Sequence, residues 1–184
     1  MDLARDWLTD ARREFEKYQR MAERAIAQVP ESRWFERLDP EANSVALVMK
    51  HVAGNLRSRW TDFLTTDGEK PDRHRDTEFE ATPGEDAASM RARWDAGWAT
   101  LFATLDSLTP ADLARTVKIR GEPHTVAQAI QRQLTHYAYH VGQIVLLAKH
   151  EAGPAWKTLS IARGKSLDYD VAKDGSPYLA GPGR

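Results

Sequence analysis

Apolar residues recur at helical spacing along four long stretches of this chain, and proline or glycine closes each stretch. That pattern constrains the fold more than any other feature, because a 3.6-residue period buries one stripe of a helix and leaves the rest wet. The first stretch places Leu3, Trp7, Leu8, Ala11, Phe15, Tyr18, Ala22, Ala25, Ile26 and Val29 at helical intervals, with charges between them and Pro30 behind. The second starts at Asn43 or Ser44, either of which can cap a helix. It runs through Val45, Val48, Val52, Leu56, Trp60, Phe63 and Leu64 and stops near Asp67-Gly68. A third helix is predicted over Glu85–Leu108, with Met90, Trp94, Trp98, Leu101, Phe102 and Leu105 on one face. The fourth runs from Thr125 or Val126 to Glu151, carries Ile130, Leu134, Tyr137, Val141, Ile144, Val145 and Ala148, and ends at Gly153-Pro154.

Four amphipathic helices with one longer crossover predict an all-α four-helix bundle. The crossover, Glu69–Pro83, is polar and punctuated by proline, with Phe79 as its apolar anchor. It reads as an ordered or semi-ordered loop, long enough to cover a pocket mouth. Ahead of the fourth helix, Val117 and Ile119 alternate with polar neighbours and Gly121 turns the chain, which predicts a short hairpin or an extended loop. The 184 residues suit one domain: a bundle over about 2–152, a packed tail over 153–176 holding Trp156, Leu159 and Ile161, and a flexible end over 177–184.

Composition narrows the chemistry. With 26 basic and 27 acidic residues the net charge is -1, so no nucleic-acid partner is expected. The chain has no cysteine, which excludes disulfides, thiolate nucleophiles and cysteine-ligated zinc or iron–sulfur sites. Any thiol chemistry here needs a thiol from outside. No stretch is apolar enough to span a bilayer, and the polar start Met1-Asp2-Leu3-Ala4-Arg5-Asp6 lacks a leader-like apolar run. A cytoplasmic protein without a membrane partner is the expectation. Trp94 and Trp98, four apart, read as core rather than as a stacking platform.

The histidines carry the chemistry. His136 and His140 lie four residues apart on the fourth helix, a spacing that stacks two imidazoles on one face, where a metal about 2.1 Å from each nitrogen can bridge them. Tyr137 stands where a zinc metalloprotease helix carries glutamate, so that reading fails. The alternative is two core histidines satisfied by hydrogen bonds. Gln133 and Gln143 continue the same face, and Gln143 can orient a metal-bound ring by taking its other N–H. His51 lies on or beside the inward face of the second helix; alone, such a residue is more often a satisfied core histidine than a ligand. His74 and His124 fall in predicted loops, and His150 sits at a helix end that favours a cation. Ligands in a bundle come from facing helices, and three histidines leave a coordination position open, as catalytic sites do.

The runs Lys50-His-Val-Ala-Gly-Asn-Leu-Arg-Ser-Arg-Trp-Thr-Asp-Phe63, Thr66-Asp-Gly-Glu-Lys-Pro71 through Arg75-Asp-Thr-Glu-Phe79, His136-Tyr-Ala-Tyr-His-Val-Gly-Gln-Ile144, and Trp156-Lys-Thr-Leu-Ser-Ile161 with Arg163-Gly-Lys-Ser166 span most of the chain. In them the sequence resembles the DinB-like superfamily of metal-binding four-helix bundles, and more narrowly an uncharacterised domain-of-unknown-function subfamily of it. Ala162 stands where the pattern has proline, a departure confined to the tail. The resemblance implies a metal triad at His51, His136 and His140; Asn55, Tyr137 and Gln143 are the candidate supporting or pocket residues beside it. It also implies, more loosely, a metal-dependent transferase that uses an external low-molecular-weight thiol.

Three functions follow as expectations. The first is a thiol S-transferase using one divalent ion (zinc, nickel, iron or manganese), since imidazole suits most of these metals. The second is a non-catalytic metal-binding or stress-response protein. The third is a metal-dependent hydrolase, which wants a carboxylate base near the metal. No acidic residue lies one turn from His136 or His140, and Asp62 is the candidate on the second helix. Arg57 and Arg59 are candidate anion-binding residues. With Asp67, Arg73, Arg75, Asp76 and Glu78 they also fit a solvated face stapled by ion pairs, which is the preferred reading. The Arg163-Gly-Lys165 tail invites the same two readings. Expected partners are a small-molecule substrate or thiol and, through exposed helix faces, a second copy of the chain.

Overall fold

The computed structural model describes residues 2–170. Its four helices are α1 (Leu3–Ile26), α2 (Val45–Trp60), α3 (Ala87–Ser107) and α4 (Val126–Ala152), with an antiparallel pair β1 (Thr116–Ile119) and β2 (Glu122–Thr125) ahead of α4. Each helix starts where a side chain satisfies its free N–H groups. Asp2 accepts from Arg5, Ser44 from Leu47, Asp86 from Ser89 and Thr125 from Gln128. Asp86 and Thr125 do so in capping boxes. The helices form an all-α bundle in which α2 packs most extensively on α3, and α1 on α4.

An aromatic cluster ties the four helices together. Tyr137 of α4 is fully buried, 5.9 Å from Phe15 of α1 and 5.7 Å from Trp98 of α3 between ring centroids. Its hydroxyl accepts from Trp60 Nε1 at 3.0 Å and donates to Asn55 Oδ1 at 2.9 Å, both on α2. Trp94 and Trp98 are buried with the rest of the core, as their spacing suggested. Gly97 lets α3 approach α2: a Cβ there would stand 3.0 Å from Leu56 Cβ.

The second helix ends earlier than its apolar pattern suggests. It stops at Trp60, because Thr61 is extended and Asp62 takes a positive φ of 48°. Phe63 still reaches the core, but from a turn in which Thr65 and Thr66 bond back to the Asp62 carbonyl. Ser58 Oγ then accepts from Lys70 and donates to the Gly68 carbonyl, folding the chain back along α2. Beyond that point the crossover is ordered: a 3₁₀ turn, Arg75–Phe79, packs on α2. The segment before α4 is a hairpin whose two-residue turn, Arg120-Gly121, has φ of 57° and 77°.

After α4, Trp156 and Leu159 pack against the core, and Lys157 exchanges two backbone hydrogen bonds with the Gln28 side chain. Arg163 and Lys165 are exposed, so that stretch of tail is not packed as expected. The expected end of the packed tail and the flexible terminus, 171–184, lie outside the described residues. No helix among the described residues is long and apolar enough to cross a membrane.

Candidate metal centre

Buried on nearly every side, α2 turns His51 inward toward α4. A helix covered all round must find partners for its polar side chains, and for His51 the partners come from α4 and from the crossover. His51 Nε2 lies 3.4 Å from His136 Nε2, which lies 3.1 Å from His140 Nε2. One nitrogen from each of the three rings falls within 4.8 Å of the others, and the group could hold a metal ion. Metal–nitrogen bonds of about 2.05 Å in tetrahedral geometry put ligand nitrogens about 3.3 Å apart, and the two short spacings match that edge.

The far sides of the rings decide their tautomers. His51 Nδ1 donates to Glu78 Oε2 at 2.8 Å, and His140 Nδ1 donates to Gln143 Oε1 at 2.8 Å. Both rings therefore present Nε2 lone pairs to the cluster. His136 Nδ1 is buried without a partner. Burial, added to the neighbouring histidines, pushes the His136 pKa down to about 3, and burial pushes that of His140 down to about 4 although the Gln143 bond opposes it. His136 and His140 are thus kept neutral, which is the state that binds a metal.

Glu78 was read from sequence as part of a solvated face, and the structure corrects this. Its side chain is buried, fixed by Arg73 Nε and Nη2 at 2.8 Å each. Burial opposes its ionisation, but the bonds from Arg73 and His51 prevail and hold the carboxyl below its ordinary value. A carboxylate behind a histidine orients the ring and makes it a better donor to a metal. Gly54, one turn from His51, makes the room: a Cβ there would collide with Glu78 Oε1. Phe79 stacks on His51 at 4.6 Å and closes the other face.

The three histidines line a cavity of about 560 Å³, together with Asn55, Gln133, Tyr139, Gln143 and five arginines. Asn55 and Gln143 line the cavity, whereas Tyr137 lies in the core and donates to Asn55. Arg59 lines the cavity, and its guanidinium meets the Gly68 carbonyl and Glu69. Arg57 does not line it: that side chain points away from the histidines, pairs with Asp72 at 2.9 Å and borders a separate cavity. Asp62 is exposed in the turn after α2 and lines neither cavity. Sequence reasoning missed the roles of Glu78 and Arg73 and passed over Arg120 and Arg132. The readable signal for Glu78 was an acidic residue directly before Phe79, the crossover's apolar anchor.

Fold and site together define a helical bundle with a three-histidine candidate metal centre. The chain belongs to the family described as "Protein of unknown function (DUF1572)", whose model matches residues 2–165. No curated protein matches it in sequence.

Proposed function

We propose that this chain is a DinB-like metalloprotein holding one divalent ion (zinc, nickel, iron or manganese) at His51, His136 and His140, and that it acts as a metal-dependent S-transferase on an external low-molecular-weight thiol. The observation that carries this reading is the convergence of three imidazoles, with one nitrogen of each within 4.8 Å of the others, on one cavity wall. When bound, the ion supplies undiminished positive charge, which lowers the pKa of a thiol at the open position. The chain's own residues do the rest. Glu78 and Gln143 hold two of the rings in register, and Phe79 shields His51 from solvent. In the transfer the thiol proton leaves to solvent, a sulfur–carbon bond forms at the electrophile, and the leaving group departs with its bonding pair.

Hydrolysis is the weaker reading, because no carboxylate lines the cavity among the described residues and Glu78 is engaged by both His51 and Arg73. A small-molecule partner and a reducing, cytoplasmic setting belong to the same proposal. The test has two stages. Elemental analysis of tag-free protein should find one metal per chain, lost in His136→Ala; no metal in either ends the proposal. Metal-loaded protein is then given bacillithiol, mycothiol or glutathione with an alkylating electrophile. No rate above a His51→Ala control with any of the three leaves a metal-binding protein without turnover.

A further inference from the structure

Five arginines line the histidine cavity: Arg59, Arg73, Arg75, Arg120 and Arg132. The carboxylates that reach them are too few. Glu69 is shared among Arg59 at 2.8 Å, Arg120 at 3.1 Å and Arg73 at 3.6 Å, and Glu78 is taken by Arg73 and His51. Arg75 and Arg132 meet carboxylates, Asp76 and Glu122, only at 3.9 Å, and both partners are open to water. Arg59 is 6% exposed, yet its Nε–H has no hydrogen-bond partner among the described residues. Arg59 lines the cavity, and a buried donor left unpaired is hydrogen-bonding capacity that this side chain has not spent within the protein.

The backbone adds an independent sign. Arg120 occupies a left-handed turn position at φ 57°, where asparagine or glycine would sit without strain. Asp67 holds that turn by accepting from the N–H groups of Arg120 and Gly121 at 2.8 and 2.7 Å. The chain thus tolerates a strained arginine at the cavity wall. Arg75 lies over Phe79 at 5.4 Å, and Phe79 stacks on His51, so this guanidinium is two stacked layers from the histidine cluster.

We infer that the cavity binds a short ligand carrying an oxyanion, held by the arginines while its other end reaches the histidine cluster. Planar carboxylates and tetrahedral oxyanions share the acceptor geometry that guanidinium groups recognise. The inference adds a ligand class to the metal reading above and rests on that reading for one of its two arms.

In that arm, cobalt(II)-loaded protein is titrated with four thiols of matched length: 3-mercaptopropionate, 2-mercaptoethanesulfonate, 2-mercaptoethanol and cysteamine. Cobalt d–d and sulfur-to-cobalt bands report binding. In the other arm, the melting temperature of the metal-free protein is followed with the same four. At least one anionic thiol should bind tenfold or more tightly than 2-mercaptoethanol, with cysteamine weakest, and should raise the melting temperature of the metal-free protein where the neutral thiol does not. Whether the carboxylate or the sulfonate binds better identifies the oxyanion. Arg75→Gln with Arg132→Gln, both exposed positions, should erase the preference and leave the ligand-free cobalt spectrum unchanged. Equal affinities, no binding by either anion, or a preference that survives the double variant overturns the inference. Absence of any cobalt spectrum overturns the metal reading instead, and the melting arm then decides the anion inference alone.

Discussion

Two cavities of similar size flank the Arg73–Glu78 segment, and Arg73 borders both. The larger, about 670 Å³, lies along α2 and α3 over Ala53, Gly54, Ala96 and Gly97. Every cation on its wall closes a short pair: Lys50 and Arg93 with Glu85 at 2.9 and 2.8 Å, Arg57 with Asp72 at 2.9 Å, Arg73 with Glu78 at 2.8 Å. The smaller is lined by the three histidines, an excess of arginine and three residues with a buried polar atom lacking a partner: Arg59 Nε, Gln133 Oε1 and His136 Nδ1. Volume therefore does not mark the candidate metal site. Unspent hydrogen-bonding and charge capacity does, because a protein rarely leaves it buried without a use.

The sharpest way to break this contrast is to remove a histidine. His136→Ala or His51→Ala should abolish stoichiometric metal and, with it, the metal-induced rise in melting temperature. At a metal concentration a hundred times Kd that rise is roughly 5–10 °C. Calorimetry with and without a chelator measures it; an unchanged rise in both variants would show that the metal sits elsewhere. Glu78 tests the wall between the cavities. Glu78→Gln should weaken metal binding about 10- to 100-fold while the turn persists, since Arg73 retains Glu69. Gly54→Ala should move affinity the same way by displacing the Glu78 carboxylate. Competition titration against a chromophoric chelator reads both.

Acid should act through the histidine side as well. In the metal-free protein, His136 and His140 have folded pKa values of about 3 and about 4, below the ordinary 6.5. Below pH 6.5 the unfolded chain therefore binds protons that the folded chain refuses, and stability falls from there toward pH 4. Glu78, depressed in the folded state, adds a further loss only as pH drops below its ordinary 4.5 and through its folded value. Discounted for partial exposure, the histidine loss is on the order of 1–2 kcal/mol, or about 2–8 °C. A melting temperature that stays flat from pH 6.5 to pH 4 would contradict the histidine assignment. The smallest effect belongs to the balanced cavity. Arg57→Ala should leave metal affinity within about twofold and stability within about 1 kcal/mol, because its ion pair with Asp72 is exposed.

Much of the bundle was legible from period and caps. Ser44, Asp86 and Thr125 cap α2, α3 and α4 at or beside the predicted starts, because capping is chemistry between residues three apart. The end of α2 was not legible. Phe63 and Leu64 continue the apolar spacing, and the left-handed turn at Asp62 prevails because Ser58, Gly68 and Lys70 bind the returning chain. The arginine–glutamate run of the crossover has the composition of a solvated face, and its burial follows from docking on α2, which composition does not report.

The sequence by itself determined four helices, the hairpin position, the absence of cysteine and a pair of histidines on one turn of α4, because these are local patterns or counts. Tertiary structure alone decided that His51 stands 3.4 Å from His136, that Glu78 crosses from a loop to hold it, and that five arginines surround the same cavity. Those residues are separated by tens of positions along the chain, and only the packing of α2 against α4 and the crossover brings their charges and lone pairs within a few ångströms of one another.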